Sequence, residues 1–545
     1  MSIGGMEKRD IRNVNLNQVG FMTKARKTCV VRSEGIDGAF SVLNENKEEV
    51  FKGSLTGPIK AVYAEEEVYQ GDFSEFNVPG TYTVKVSNGD ESHPFVIGDN
   101  VYDDLLKDSL LMLTRQRCGM ELTKEIAGPA AHPSCHDTDA VIYGTDKYKN
   151  VNGGWHDAGD YGRYIVAAAT AIDDLYLAYE EFTELWKSDN LGTPESGNGI
   201  PDILNEAKYE LDWMLKMQDE ETGGVYHKVT CYKFPGFVMP EEETEELVIS
   251  PISITATADF AAIMAKTSTI FKEIDAQYSA NALKCAKKAY DYAVSHKDEP
   301  GFKNPADIRT GEYGDANNED ELYWAAVEMF KVTGEQRYKD DFESILNKTV
   351  YHGFGWDDMG SYGNVAFLSL DEKDQDPALK AKMIESITKK ADEYLANVKA
   401  DGYMCDLDDK YIWGSNLLVC SFAREMMIAA KYGNTEELNQ AAYDQISYLL
   451  GQNATGYSFV TGYGAVAPIH PHHRPSEAAN YTVPGMVVGG PNKGLQDAFV
   501  KEHFEGVAPA KVYADVLESY STNEITIYWN SPFIYLLSAQ IMMNK

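Results

Sequence analysis

The stretch Gly153-Gly154-Trp155-His156-Asp157-Ala158-Gly159-Asp160-Tyr161-Gly162-Arg163-Tyr164 joins a tight turn to an apolar run that continues to Tyr179. The length of that run predicts a buried helix over 163–182. Four glycines within 153–162 let the backbone fold tightly and let a bulky ligand come close. Asp157 and Asp160 stand three residues apart in the turn. Ahead of a helix such aspartates have three uses: capping the free N–H groups of the first turn, holding a cation, or catalysis.

Outward from this stretch the chain reads as helices. About twelve runs have helical spacing, near 102–117, 163–182, 202–218, 253–271, 276–296, 319–332, 336–349, 361–370, 377–398, 414–431, 435–450 and 531–543. Ile200-Pro201-Asp202 puts proline at a helix start, and Tyr432-Gly433 closes another. No convincing strands fall between these runs, so a parallel sheet is not expected and the pattern is all-α. Long loops at 119–160, 219–250, 299–318 and 451–530 are where a site should sit. The acidic run Glu241–Glu246 reads as a solvated loop face. Upstream the pattern differs. Residues 13–98 alternate apolar and polar with frequent turn signals, as in Thr28–Arg32, Phe40–Leu43 and Gly80–Val86, which predicts a small β-sandwich. The expected organisation is a tail over 1–12, the sandwich over 13–98, a join at Gly98–Val101 and a helical domain over 102–545.

A second informative stretch lies near the C-terminus: Tyr513-Ala514-Asp515, Tyr520, Asn523-Glu524-Ile525-Thr526 and Asn530-Ser531. With Asp157-Ala158-Gly159-Asp160 it resembles the signatures of glycoside hydrolase family 9, the inverting cellulases. A third match runs from Ser458-Phe459-Val460-Thr461-Gly462-Tyr463-Gly464 to Pro471-His472-His473-Arg474. One position departs there: Val466 stands where the family has Asn, Lys or Arg, and a change in sugar contacts is expected. Asn17–Phe21 resembles the opening of the immunoglobulin-like module that precedes many family 9 catalytic domains. The resemblance therefore implies a mostly α protein, an (α/α)6 barrel preceded by a small all-β immunoglobulin-like sandwich.

It also implies the site residues. Glu524 is the expected general acid, with Tyr520 and Tyr528 placed to desolvate it; Asp160 is the expected base, and Asp157 helps hold the water. His472 and Arg474 resemble the family's substrate-contacting pair, although His470, His472 and His473 together also suit a metal. Trp356 and Trp413 match cleft tryptophans, core packing being their other reading; Tyr520 is a further sugar contact. The Tyr-Trp-Ser-Gly stretch of the family is replaced by Tyr313-Gly314-Asp315, so one cleft tryptophan is missing. Asp320 and Glu321 resemble a calcium loop or an acid-rich helix start. Cys118, Cys135, His136 and His156 form the ligand set of a closed structural zinc, which family members with the immunoglobulin-like module often bind. Two buried thiols and two unrelated histidines are the plainer reading. No organic cofactor is implied.

Composition narrows the classes. A net charge of −36 argues against nucleic acid or an anionic membrane as partner and suits a neutral glucan. No apolar run approaches the ~20 residues of a membrane span. The first ten residues lack an apolar signal core, so either the protein stays in the cytoplasm or a secretion signal has been removed. Seven cysteines are too sparse for a disulfide framework. The expected activity is inverting hydrolysis of β-1,4-glucosidic bonds in cellulose, soluble β-glucan or cello-oligosaccharides by a monomer. Endoglucanase and cellodextrinase are both open, with a glucosaminidase or a non-catalytic glucan-binding protein as alternatives. A catalytic-zinc hydrolase is disfavoured, because four candidate ligands close the site and His-Glu-x-x-His is absent.

Overall fold

The computed structural model describes residues 5–545; residues 1–4 of the expected tail lie outside them. The chain divides into two compact units, residues 1–112 with 388–545, and residues 113–387.

In the first unit the alternating segments form eight strands: β1 (Val14–Asn15), β2 (Gly20–Phe21), β3 (Thr28–Val31), β4 (Ala39–Leu43), β5 (Glu49–Ala61), β6 (Glu66–Asp72), β7 (Gly80–Val86) and β8 (Phe95–Ile97). Their order is β1-β3-β6-β5-β4-β7-β8-β2. Strand β5 makes this a sandwich: its first half pairs with β4 and its second with β6, with the register slipping between Thr56 and Ile59. Pro58, which has no N–H to give, lies in that slip. Inside, Phe21 meets Phe73 and Phe95 edge to face, with ring centroids 5.5 and 5.6 Å apart. The sandwich is not a loose appendage of its unit. Arg26 pairs with Asp444 at 2.8 Å, Thr28 donates to the Gln452 amide oxygen at 2.8 Å, and Gln18 donates to the Gly456 carbonyl at 2.8 Å.

Among the described residues, twelve helices run nine residues or longer, one for each run read from the sequence. They fall into two kinds. The helices Ile165–Glu181 and Ile254–Ile270 of the second unit, and Ile527–Met543 of the first, are buried on nearly every side. The helices Ala276–Ser295 and Gln336–Lys348 bury one stripe only, in the latter Tyr338, Phe342 and Leu346. All-round burial beside one-faced burial is the pattern of inner helices backed by outer ones.

Two expectations fail. The second unit does contain strands: β9 (Ala140–Ile142), β10 (Tyr148–Lys149), β11 (Arg163–Tyr164), β12 (Lys228–Cys231) and β13 (Leu247–Ile249), in the order β10-β9-β13-β12-β11. At two to four residues they are too short to show a period of two, and β12 and β13 are buried throughout, which erases alternation. The last helix begins at Ile527, not at 531. Asn530-Ser531-Pro532 looks like a break, yet the Thr526 hydroxyl accepts from the Trp529 N–H and starts the helix ahead of the proline.

Candidate active site and metal centres

In the second unit the Gly153–Tyr164 turn is clamped from several sides. Arg163 donates to the carbonyls of Val151 and Gly153 at 2.7 and 2.8 Å. The Trp155 backbone N–H donates to the Glu210 carboxylate, and its indole N–H to Glu206 at 2.8 Å. Glu206 is in turn bound by two nitrogens of the fully buried Arg117. Gly154 has φ +77°, and an added Cβ would lie 2.7 Å from Trp213, so only glycine fits there. The helix that follows is capped by Tyr164 without a side-chain bond, which removes capping as the use of the two aspartates.

The aspartates differ. Asp157 is buried, accepts from the Tyr313 hydroxyl at 2.5 Å, and keeps its other oxygen without a protein partner. Burial pushes it well above the usual carboxylate range, with Asp160 adding repulsion and Tyr313 opposing. Asp160 accepts the Gly162 N–H at 3.0 Å. Lys228 sits opposite Tyr164 in the β11–β12 register, and burial brings its ammonium down to about 7 while the Asp160 charge opposes that fall. Its Nζ donates to Thr310 at 2.9 Å and to the Gly311 carbonyl at 2.6 Å, in the segment that leads to Tyr313. Trp356 packs edge-on against Tyr313 at 4.9 Å and is half-buried, so it is not a core residue. Sequence reading passed over Lys228 and gave Tyr313 no role; both lie far from the aspartates in the chain.

Cys118, Cys135, His136 and His156 come together, their ligand atoms all within 4.8 Å of one another and buried. Cys118 Sγ is 3.6 Å from His136 Nδ1, and Cys135 Sγ is 3.8 Å from His156 Nε2. A tetrahedral ion with metal–sulfur bonds of ~2.3 Å and metal–nitrogen bonds of ~2.0 Å sets such ligands ~3.6 Å apart, so the donor set and spacing fit a four-coordinate metal. His136 Nε2 faces Glu243 at 3.1 Å, the carboxylate–histidine support usual behind a metal. Glu243 belongs to the acidic run read as solvent-facing; its side chain is 5% exposed, and the run is thus not all surface.

Asp320 and Glu321 also have company. Asp315 joins them within 4.8 Å, and Asp259 adds repulsion from the helix Ile254–Ile270. Both oxygens of Glu321 and of Asp259 are buried without a protein partner. Burial, then mutual repulsion, holds both groups well above the carboxylate range and lifts Asp320 to about 6. The partnerless buried oxygens are hard donors of the kind that would suit a hard cation.

In the first unit Glu524 is half-buried just after a short helix, Tyr520–Asn523. Its carbonyl accepts from Gly489 at 3.0 Å, and the neighbouring Asn523 carbonyl accepts from the His472 N–H at 2.9 Å, so His472 pairs with Glu524 in a parallel bridge. Tyr520 stands between Trp413 at 5.4 Å and His472 at 5.9 Å. Trp413 is 42% exposed, a platform and not core. His472 Nδ1 lies 2.6 Å from the Leu517 carbonyl and must carry the proton, which leaves Nε2 as its other face. His470 faces Glu7 and His473 faces Ser476, so the three histidines do not share a metal. Arg474 is buried at the start of a short helix. Val466 is 1% exposed, and its N–H donates to the Gln18 side-chain oxygen at 2.9 Å.

The sequence profile described as Glycosyl hydrolase family 9 matches residues 102–537, and that of a cellulase N-terminal ig-like domain matches 10–91. The chain belongs to glycosyl hydrolase family 9. A cellodextrinase of Butyrivibrio fibrisolvens is 36% identical over 97% of this family 9 chain and 99% of its own. Among solved structures, AaCel9A in complex with cellobiose-like isofagomine is 35% identical over 97% of this chain and 100% of that one, with a TM-score of 0.92. A Zn-binding triple mutant of a family 9 endoglucanase is 32% identical over 95% of this chain and 99% of that one, with a TM-score of 0.89. The family 9 chain is thus a glycoside hydrolase, mostly helical with an (α/α)6 barrel and an immunoglobulin-like sandwich ahead of it.

Proposed function

We propose that the enzyme cleaves β-1,4-glucosidic bonds of soluble glucans or cello-oligosaccharides with inversion, Glu524 acting as acid and Asp160 as base. The observation that carries the division of labour is the contrast between the aspartates. Asp157 is buried and fixed by Tyr313, which suits it to orient a water; Asp160, three residues on in the same turn, is placed to take that water's proton. Tyr520, Trp413, His472 and Trp356, with Arg474 as a hydroxyl donor, are the proposed sugar contacts. The cellodextrinase relative and the missing cleft tryptophan favour short chains over cellulose.

Zinc is the metal the Cys118, Cys135, His136 and His156 set fits best; when bound it supplies no chemistry beyond cross-linking. His156 is joined to Asp157, so the tie holds the turn that carries the base. Calcium is proposed at Asp315, Asp320 and Glu321 with Asp259 behind them, and the domain division at 13–98 and 102–545 goes with this reading. Proton NMR in the first minutes of cellotetraose hydrolysis tests the mechanism. The α-anomer should appear first; a β-anomer would recast Asp160 as a nucleophile.

A further inference from the structure

The segment ahead of the sandwich, expected as a tail, is held at every few residues. Met6 packs against the cluster of Val500, Phe504, Val512, Ala514 and Val516. The Asp10 carbonyl lies 2.7 Å from His93 Nε2, and the Ile11 N–H closes a turn onto the Arg9 carbonyl. Between these anchors Arg9 reaches Asp515, with Nη1 3.0 Å from Oδ2, and lies over the Tyr457 ring at 5.6 Å. Arg9 is 14% exposed at its side chain and Asp515 3%, so this is a sheltered pair of a kind that is costly to break.

Asp515 does more than accept from Arg9. Its carboxylate takes the backbone N–H groups of Ile469 and His470, at 3.0 and 2.9 Å, and the side-chain amide of Asn523 at 3.2 Å. The Asn523 amide also donates to the His470 carbonyl at 2.7 Å, and the Asn523 side-chain oxygen accepts from Tyr513 at 2.6 Å. Asp515 therefore joins the segment leading to His472 with the residue that precedes Glu524. Four donors meet on one carboxylate, and only Arg9 brings a full positive charge.

We propose that Arg9 is a positioning residue for the general acid: by fixing Asp515 it sets where Asn523 holds the Glu524 backbone. The inference rests on the assignment of Glu524 as acid. It acts through geometry, so its signature is a fault confined to protonation of the leaving group. A sugar alcohol leaves only when protonated, whereas dinitrophenolate leaves without a proton.

The test compares Arg9→Gln, Arg9→Lys, Glu524→Gln and wild type on cellotetraose and on dinitrophenyl β-cellobioside, with melting curves to verify folding. Arg9→Gln should lose about tenfold in kcat on cellotetraose, with little change in KM, and stay within about twofold on the aryl substrate. Arg9→Lys keeps the charge and should recover most of the loss. Equal losses on both substrates, or none on either, would overturn the role of Arg9. Should Arg9→Gln not fold, Arg9→Met takes its place: a leaving-group dependence there supports the proposal and its absence overturns it. Glu524→Gln serves as the control. If it spares the aryl substrate while Arg9→Gln does not, the Arg9 proposal alone is wrong; if it slows both equally, the assignment of the acid falls and this inference with it.

Discussion

The two segments that carry the proposed catalytic carboxylates are held by different physics. Around Asp157 and Asp160 the anchors include a buried ion pair, Arg117 with Glu206 at 2.9 Å, Arg163 on backbone carbonyls, the Glu210 carboxyl on the Trp155 N–H, and two thiols with two imidazoles. Around Glu524 they are mostly dipoles. Buried Asp497 accepts the hydroxyls of Ser519 and Ser521 and the Ser521 N–H; Asn492 donates to the Ser521 carbonyl; Asn530 accepts from the Val487 N–H. Arg9 adds a cation on this side, paired with Asp515. A cluster of thiols and imidazoles responds to metal removal, whereas hydrogen bonds to carboxylates and amides do not. The base side should therefore be the more easily disturbed by conditions, and the acid side by substitution.

The largest expected effect tests the acid side. Glu524→Gln should keep the fold and lose about 10²–10⁴-fold in kcat on cellotetraose, because an amide cannot protonate the leaving oxygen. Retention of more than about a third of wild-type turnover by the pure variant would remove the acid from its role.

Next comes the soft-ligand cluster. Cys135→Ser should lower the melting temperature and reduce turnover by about 10–10²-fold, on the aryl and the sugar leaving group alike, because the base is displaced. Elemental analysis of protein purified without chelator should give about one zinc per chain. A variant with wild-type stability and rate would leave the contrast between the two segments without its main support.

Tyr313→Phe sharpens the picture within the base side. It removes one hydrogen bond to Asp157, worth about 1–1.5 kcal/mol, and should slow turnover by about tenfold with the fold intact. An unchanged rate would show that Asp157 is oriented by something else.

The smallest effect is a pH dependence of stability. Lys228 is brought down from 10.5 to about 7 on folding, so between those values the unfolded chain binds the extra proton. Its contribution to stability therefore rises with pH from about 7 to about 10 and disfavours the fold below that window. Denaturant titrations at pH 6 and pH 10 should show Lys228→Met flattening this rise relative to wild type. An identical pH slope in the two proteins would place the lysine in water rather than buried on Thr310 and Gly311.

Much of this arrangement was legible in the chain. The twelve long helices are visible because a helix of nine residues or more repeats its apolar spacing often enough to be read, and the sandwich because β4 and β7 alternate over several residues. Asp157, Asp160 and Glu524 stood out because short motifs keep them beside glycines and aromatics. What stayed hidden had one of two causes. Strands β9–β13 are too short for a period, and their burial removes the polar face that would mark one. The partners of the site residues come from distant positions: Tyr313 lies 156 residues from Asp157, and Arg9 lies 506 residues from Asp515. Sequence by itself determined which side chains exist to do the chemistry and which segments are helical, because both follow from local composition and spacing. Only the tertiary structure decided which aspartate is fixed by a tyrosine, which carboxylates lie buried without partners, and that a tail is an anchor. Those depend on contacts between residues far apart in the chain, and burial, which sets their charge and hydrogen bonding, is a property of the packed molecule alone.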